Sequence, residues 1–278
     1  MKKVLLATTA LVLSAGFAAA EVKLSGSANM GLKYDEGGLS YAPAKKAAAW
    51  YEIDLDVIGT MESDSGLTFG AKIELDSDSD GGDDDYGAQT FVSGAFGTFT
   101  IGNVDVIADD YGLSDIGFDG IGIDNVAEDA WYTGSADARW DYTVGAVTLG
   151  VSVNTVTEDY GVGAAYDAGV FNAALTFDHD EVLDNDATSL TLGGKFDAFK
   201  AQLFVTNNDI DDTSWGLYGA YTTGALTLEA AYADADSAAD AAYGIGAKYD
   251  LGGGAKLAGG IGSANDDLVA DFGVTFKF

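Results

Sequence analysis

The chain has 278 residues, with 45 acidic side chains against 13 lysines and arginines, a formal charge of −32 and no cysteine. The charge repels phosphate and argues against nucleic-acid binding, and the lack of cysteine excludes disulfide scaffolds and thiolate-ligated metal sites. Hydrophobic residues make up 47% of the chain and there is one proline beside 38 glycines, which favours folded sheet over disorder.

The first twenty residues have the parts of a secretory signal in the usual order. Lys2 and Lys3 precede an apolar run from Leu5 to Phe17, and a small-residue segment, Ala18 to Ala20, precedes Glu21. We therefore predict a signal peptide at 1–20 and a mature, exported chain at 21–278. No later apolar run reaches about 18 residues, so the mature chain is either soluble or crosses a membrane with strands.

A two-residue period of apolar and polar side chains runs along the mature chain to its last residue. At the C-terminus, Leu268, Phe272 and Phe276 share one face, and Asp271 and Lys277 share the other. Continuing this reading predicts sixteen strands, at about 21–34, 47–60, 66–77, 87–95, 98–103, 138–144, 147–156, 160–168, 170–178, 188–198, 199–207, 214–223, 225–234, 241–250, 255–263 and 268–278.

The two faces of these strands require different surroundings. The apolar face carries no charge in mid-strand, whereas the other face carries most of the charged side chains, which could not fill a dry core. Short turns alternate with longer acidic loops, and aromatic residues such as Trp50, Trp140 and Trp215 lie near strand ends, where they suit girdles at the two membrane interfaces. These features favour an all-β fold, a 16-stranded antiparallel transmembrane β-barrel that is wide enough for an aqueous channel. A soluble all-β protein stays the alternative, because alternation alone does not separate the two.

One connection, at about 104–137, is far longer than the rest. It contains no lysine or arginine, but it mixes nine acids with large apolar residues such as Ile107, Phe118 and Trp131. A loop of this length with so much apolar surface is expected to pack against something, so we predict that it folds into the barrel as a constriction loop. The alternative is an ordinary external loop. The predicted constriction residues are Asp105, Asp109, Asp110, Asp115, Asp119 and Asp124.

Basic wall residues at the height of this loop are expected to oppose its acids. Strand direction places Lys33, Lys72 and Arg139 at that height, and it places five further lysines toward the periplasmic ends of their strands. Opposed charges across a narrow passage select solutes by size and charge. Because acids dominate here, we predict a preference for cations. The lower lysines are Lys195, Lys200, Lys248, Lys256 and Lys277.

Two further clusters suggest other chemistry. Asp76, Asp78 and Asp80 match the opening of an EF-hand loop, but the position of its bidentate glutamate holds Gly87, so only casual calcium binding is predicted there and no cofactor is required. His179 lies between two aspartates and would be the base of an outer-membrane enzyme. Because nothing else marks a nucleophile, we predict that the protein is not an enzyme.

Five stretches of the mature chain carry a family resemblance: EVKLSG (21–26), DSGLTFGAK (64–72), SGAFGT (93–98), YDLGGGAKLAGGIG (249–262) and LVADFGVTFKF (268–278). They resemble the general porins of alphaproteobacteria, the type associated with purple photosynthetic bacteria. The resemblance implies a homotrimer of 16-stranded barrels in the bacterial outer membrane, in contact with lipid and lipopolysaccharide. It also implies passive diffusion of ions and small hydrophilic solutes past an inward third loop.

The chain departs from this family in one respect. Such constrictions usually set several arginines against the loop, whereas this chain has a single arginine, Arg139. Alternatives that stay open are a substrate-specific porin, a barrel enzyme and a structural outer-membrane barrel.

Overall fold

The computed structural model describes residues 21–79, 86–131 and 134–278. The predicted signal peptide and Asp80 lie outside the described residues. Sixteen strands occupy most of these ranges and confirm the predicted fold class. They are β1 (Glu21–Asp35), β2 (Ala47–Glu62), β3 (Thr68–Asp78), β4 (Tyr86–Gly94), β5 (Gly97–Val104), β6 (Ala136–Val144), β7 (Val147–Val153), β8 (Tyr160–Asp167), β9 (Phe171–Asp180), β10 (Asn185–Phe196), β11 (Phe199–Asn208), β12 (Asp212–Thr223), β13 (Leu226–Ala235), β14 (Ala242–Gly252), β15 (Ala255–Ala264) and β16 (Asp267–Lys277).

The sheet closes on itself. Every strand pairs antiparallel with its neighbours in the chain, and β1 also pairs with β16, so that Met30 lies opposite Tyr51 on one side and Val274 on the other. Closure leaves no sheet edge, and the backbone groups are therefore paired where lipid would offer them no partner. Among the described residues, no helix combines the length and the apolar character needed to cross a membrane.

Most strand ends lie within a residue or two of their predicted positions. The largest differences are at β7, which ends at Val153 rather than at 156, and at β10, which begins at Asn185 rather than at 188. At β7 the cause is local, because the side-chain oxygen of Asn154 accepts hydrogen bonds from the amides of Val156 and Thr157 at 3.0 and 3.1 Å. An asparagine that bonds its own backbone in this way starts a turn.

The apolar face of the barrel points outward. Large side chains there are well exposed, with Leu32 at 61%, Ile245 at 63% and Phe272 at 59%. A continuous belt of exposed apolar side chains around a closed barrel is the lipid-facing surface of a membrane protein. Trp50 is an exception among the strand-end aromatics, because it shares the inward parity of Glu52; its ring packs 5.0 Å from that of Tyr41. The interpretation of Trp50 as a membrane-interface residue is therefore wrong.

The connection between β5 and β6, residues 105–135, is called the inner loop below. It contains a short 3-10 helix (Ala108–Tyr111) and a one-turn helix α1 (Ile123–Ala127), and α1 contacts β11 to β15. Most of its described apolar residues are buried, with Ile107 at 1% and Ile116 at 2% exposure. The loop therefore packs on the inward face of the wall rather than over the rim.

Inward-facing glycines make room for these side chains. A Cβ added at Gly163 would lie 2.3 Å from Cγ2 of Ile107, and one at Gly150 would lie 2.4 Å from its Cδ1. Gly246 stands in the same relation to Ile116, at 2.4 Å. Any larger residue at these wall positions would displace the loop, because well-packed contacts do not absorb extra atoms.

The C-terminal half of the inner loop is held by an apolar cluster and by hydroxyl groups. Trp131 packs edge-on against the fully buried Phe204 of β11, with ring centres 5.6 Å apart. Ser214 of β12 donates to the carbonyl of Ala127 at 2.7 Å and accepts from the amide of Ala130 at 3.1 Å. The buried core of the protein therefore lies between the inner loop and the wall, and the loop is anchored at both halves.

Candidate functional site

Arg139, on β6, holds the start of the inner loop. Its Nη2 forms ion pairs with Asp110 of the loop and, at 3.0 Å, with Asp141 of the wall. Its Nη1 donates to the backbone carbonyl of Asp105 at 3.3 Å. The structure thus brings together three of the residues singled out from the sequence, and the one arginine is shared between loop and wall.

Lys33, on β1, holds the tip of the loop. Its Nζ forms an ion pair with Asp119 and lies 4.0 Å from the centre of the Trp50 ring. The other carboxylate oxygen of Asp119 accepts from Nδ2 of Asn29 at 2.6 Å. The Asp119 side chain is only 8% exposed. Charge-assisted bonds of this kind hold a carboxylate in one orientation.

Lys72 and the lower lysines differ from the arrangement that strand height predicts. The described partners of Lys72 are the wall carboxylates of Asp56, at 3.3 Å, and Glu74 rather than loop acids. Lys200 instead reaches the loop and donates to Oγ of Ser114 at 2.9 Å, and Lys248 donates to the carbonyl of Asp115 at 3.3 Å. Strand height alone places Lys200 and Lys248 too low to meet the loop, because it gives no measure of how far the loop descends.

Asp115 lies where the space inside the barrel is divided. A cavity of about 480 Å³ on the outer side of the loop is lined by Asp115, Asp119 and Asp124 together with Trp50. Two cavities of about 440 and 460 Å³ on the other side also include Asp115 among their lining residues. Asp115 therefore borders the cavities on both sides of the inner loop.

Several inner-loop acids are buried, and this changes their protonation. Burial, and then the charges of Asp105 and Asp110, raise the pKa of Asp109 to about 6. Burial, followed by the charge of Asp124, raises the pKa of Glu128 to about 8. Burial, and then a hydrogen bond shared with the Asp124 carboxyl, also raise the pKa of Asp115. Loss of these protons adds negative charge inside the barrel.

We expect the preference for cations to rise between pH 6 and pH 9, because Glu128 deprotonates with a pKa of about 8. Because the docked loop raises the pKa of Glu128, it favours the protonated form of this carboxyl group. The free energy that stabilises docking therefore falls as pH rises from the ordinary pKa range of Glu toward about 8. Reversal potentials measured under a salt gradient at stepped pH would show the change, and Glu128→Gln should reduce it while leaving the part that is due to Asp109 and Asp115. Glu62→Gln, at an exposed strand end, is the matched control. A cation-to-anion permeability ratio that does not change with pH in the unmodified protein would contradict this account.

Of the predicted calcium ligands that the structure describes, only Asp76 is grouped with other carboxylates. Carboxylate oxygens of Glu52, Asp54 and Asp76 lie within 4.8 Å of one another, which suits a cation, whereas Asp78 is not in this group and Asp80 lies outside the described residues. Oxygen ligands of this kind are those that hard cations prefer. Calcium binding stays a prediction.

The closed barrel, its apolar outer belt and its charged interior define a channel-type membrane barrel. Comparison with known proteins agrees: residues 7–268 match the family of Gram-negative porins, and the chain belongs to that family. Porins of Fuscovulum blasticum and Rhodobacter capsulatus are 31% and 30% identical to it, over 93% of this chain and 100% of each relative. A solved triple mutant of the Rhodopseudomonas blastica porin is 29% identical and superposes with a TM-score of 0.79, over 92% of this chain and all of the other.

Membership of this family places the protein in the bacterial outer membrane and makes it a channel rather than an enzyme. The alternatives of a soluble all-β protein and a barrel enzyme are thereby excluded. His179 is accounted for by its neighbours at the loop end of β9, because its two ring nitrogens lie 2.7 Å from Asp186 and 3.2 Å from Glu181.

Proposed function

We propose that the protein is a general diffusion porin whose inner loop narrows a water-filled passage and favours cations. The observation that carries the proposal is the position of Asp115, which borders the cavities on both sides of the loop. A solute that crosses the barrel would pass this carboxyl group. Ions and small hydrophilic solutes of either charge would enter, and the charge balance would set their relative rates.

The charge of the outer cavity supports the preference for cations. Its lining includes five aspartates and one lysine, and the ammonium of that lysine, Lys33, is already paired with Asp119. An acid-rich cleft with low-dielectric walls concentrates counter-ions. The inner cavities are more balanced, since Lys248 and Lys256 face Asp115 in both of them. The aspartates of the outer cavity are Asp35, Asp115, Asp119, Asp124 and Asp267.

The test is single-channel recording in a planar bilayer under a salt gradient. We expect stepwise conductance with a cation-favouring reversal potential at pH 7, and we expect Asp119→Asn to lower the cation-to-anion permeability ratio about two- to threefold, because it leaves Lys33 uncompensated. Asp64→Asn, in an exposed turn, is the control with the same loss of charge. Well-folded protein that fails to conduct would contradict the proposal and favour a structural barrel.

A substrate-specific porin is the nearest alternative, and the same recordings separate the two. Saturable uptake, and blockage of the ion current by one class of solute, would indicate a specific site. Linear uptake that falls with solute size is the expected result for general diffusion.

We also propose that the protein acts as a homotrimer surrounded by outer-membrane lipid and lipopolysaccharide, as the family resemblance implies. Small residues on the lipid-facing side of β1, such as Gly26 and Ala28, are compatible with close packing between barrels. Comparison of heated and unheated samples on a gel tests the trimer, and a monomer band alone in mild detergent would count against it.

A further inference from the structure

We propose that Asp271 is the residue that positions the tip of the inner loop and thereby sets the charge selectivity of the passage. This inference rests on the proposed function and identifies a residue that controls the charge selectivity of the channel. Asp271 belongs to β16, is 6% exposed and is absent from the linings of the three cavities described above. Its own charge therefore does not face the passage.

The carboxylate of Asp271 accepts three backbone hydrogen bonds. Oδ2 accepts from the amide of Phe118 at 2.9 Å and from that of Asp119 at 3.1 Å, and Oδ1 accepts from the amide of Gly260 on β15 at 2.7 Å. Two of these donors belong to the loop tip and one to the wall. A single carboxylate thus joins the loop to the barrel, with bonds that are stronger than those of a neutral acceptor.

The neighbouring residues are shaped for this contact. Gly117 has a φ of +102°, which side-chain-bearing residues rarely adopt, and a Cβ there would lie 2.3 Å from both carboxylate oxygens of Asp271. The ring of Phe118 then enters a notch left by Gly31 and Gly273, within 2.9 Å of the Cβ position that each glycine lacks. The backbone of the tip can approach the carboxylate only because glycine occupies position 117.

The position of Asp119 follows from this contact. Asp271 fixes the amide of Asp119, while the side chain of Asp119 pairs with Lys33 and borders cavities on both sides of the loop. Release of the amide would let this carboxylate move away from Lys33 and out of its place in the passage. Asp271 is therefore a positioning residue that acts through Asp119.

A double-mutant cycle on the full-length protein tests this role. Asp271→Asn keeps the shape of the side chain but removes one acceptor oxygen and adds donors opposite backbone amides. We expect it to lower the cation-to-anion permeability ratio about twofold in the unmodified protein and to change it by less than about a fifth in the Asp119→Asn background, because coupled residues are not additive. Asp250→Asn, which removes a carboxylate from the lining of an inner cavity, should act equally in both backgrounds.

The outcomes separate this proposal from the function on which it rests. Equal effects of Asp271→Asn in the two backgrounds, or no effect in the folded protein, would overturn the positioning role while leaving the porin intact. A chain that does not conduct, or an Asp119→Asn variant with unchanged selectivity, would overturn the proposed function instead. The heated and unheated gel comparison confirms that each variant is folded before its current is measured.

Discussion

Excision of residues 106–134, with Asn-Gly joining Asp105 to Ser135, is expected to raise single-channel conductance about two- to threefold and to reduce the preference for cations. The barrel should survive, because Val104 and Ala136 are paired partners in the sheet and a two-residue turn can connect such strands. The passage should widen, because the excised segment carries the side chains that pack along the inward wall.

A matched shortening of an external connection is the control. Residues 155–158 lie within the connection between β7 and β8, and Thr155 contacts Asp137 at the rim of β6, so their replacement by Asn-Gly should leave conductance nearly unchanged. Folded protein is recognised by a gel band that still shifts when the sample is heated. If such protein lacks the inner loop and its conductance does not rise, the loop does not limit the passage.

Replacement of the single arginine should have the second large effect. We expect Arg139→Gln to raise the cation-to-anion permeability ratio about three- to fivefold, which corresponds to a change of about 0.7 to 1 kcal/mol. The arginine compensates Asp110 and Asp141 and also bonds the carbonyl of Asp105, so its loss both uncovers negative charge and frees the start of the loop. Ion-pair partners left without compensation in a partly enclosed lumen are only weakly screened.

Lys72→Gln provides the comparison for Arg139→Gln. It removes one positive charge from the same barrel, but the described partners of Lys72 lie on the wall at Asp56 and Glu74. We expect Lys72→Gln to raise the cation-to-anion permeability ratio less than Arg139→Gln does. We also expect it to leave the level of current noise unchanged, because the loop keeps its contacts with Arg139. Reversal potentials measured at several salt concentrations would distinguish the two. Equal shifts for both variants would show that total charge, and not contact with the loop, determines selectivity.

The fold could be predicted closely from the chain because a membrane barrel repeats one local rule. Each strand must place apolar side chains toward lipid and polar side chains toward water, so a period of two identifies every strand without knowledge of its partners. The exceptions have local causes: β7 ends early because Asn154 bonds its own backbone, and Trp50 lies on the inward parity, where it packs with Lys33 and Tyr41.

The acids of the inner loop and two of the basic residues that contact it, Lys33 and Arg139, could also be singled out from the chain. Length, acidity and apolar content mark 104–137 as an unusual connection, and strand height places these two basic residues near its level. They do contact the loop, through Asp119 and Asp110. Strand height is a property of sequence position, which is why it could be read in advance.

Only the tertiary structure decided how the loop is seated. Ile107 and Ile116 pack into space that glycines on distant strands leave open. The alternation of side chains along the sequence does not reveal such a space, because the glycines contribute no side chain. Lys200 and Lys248 reach the loop because it descends to Ser114 and Asp115, and the role of Asp271 depends on backbone amides 152 and 153 positions away along the chain. The local alternation of apolar and polar side chains therefore determined the barrel wall of this porin. Long-range packing determined the position of the inner loop, because contacts between distant segments depend on complementary shape and not on a sequence period.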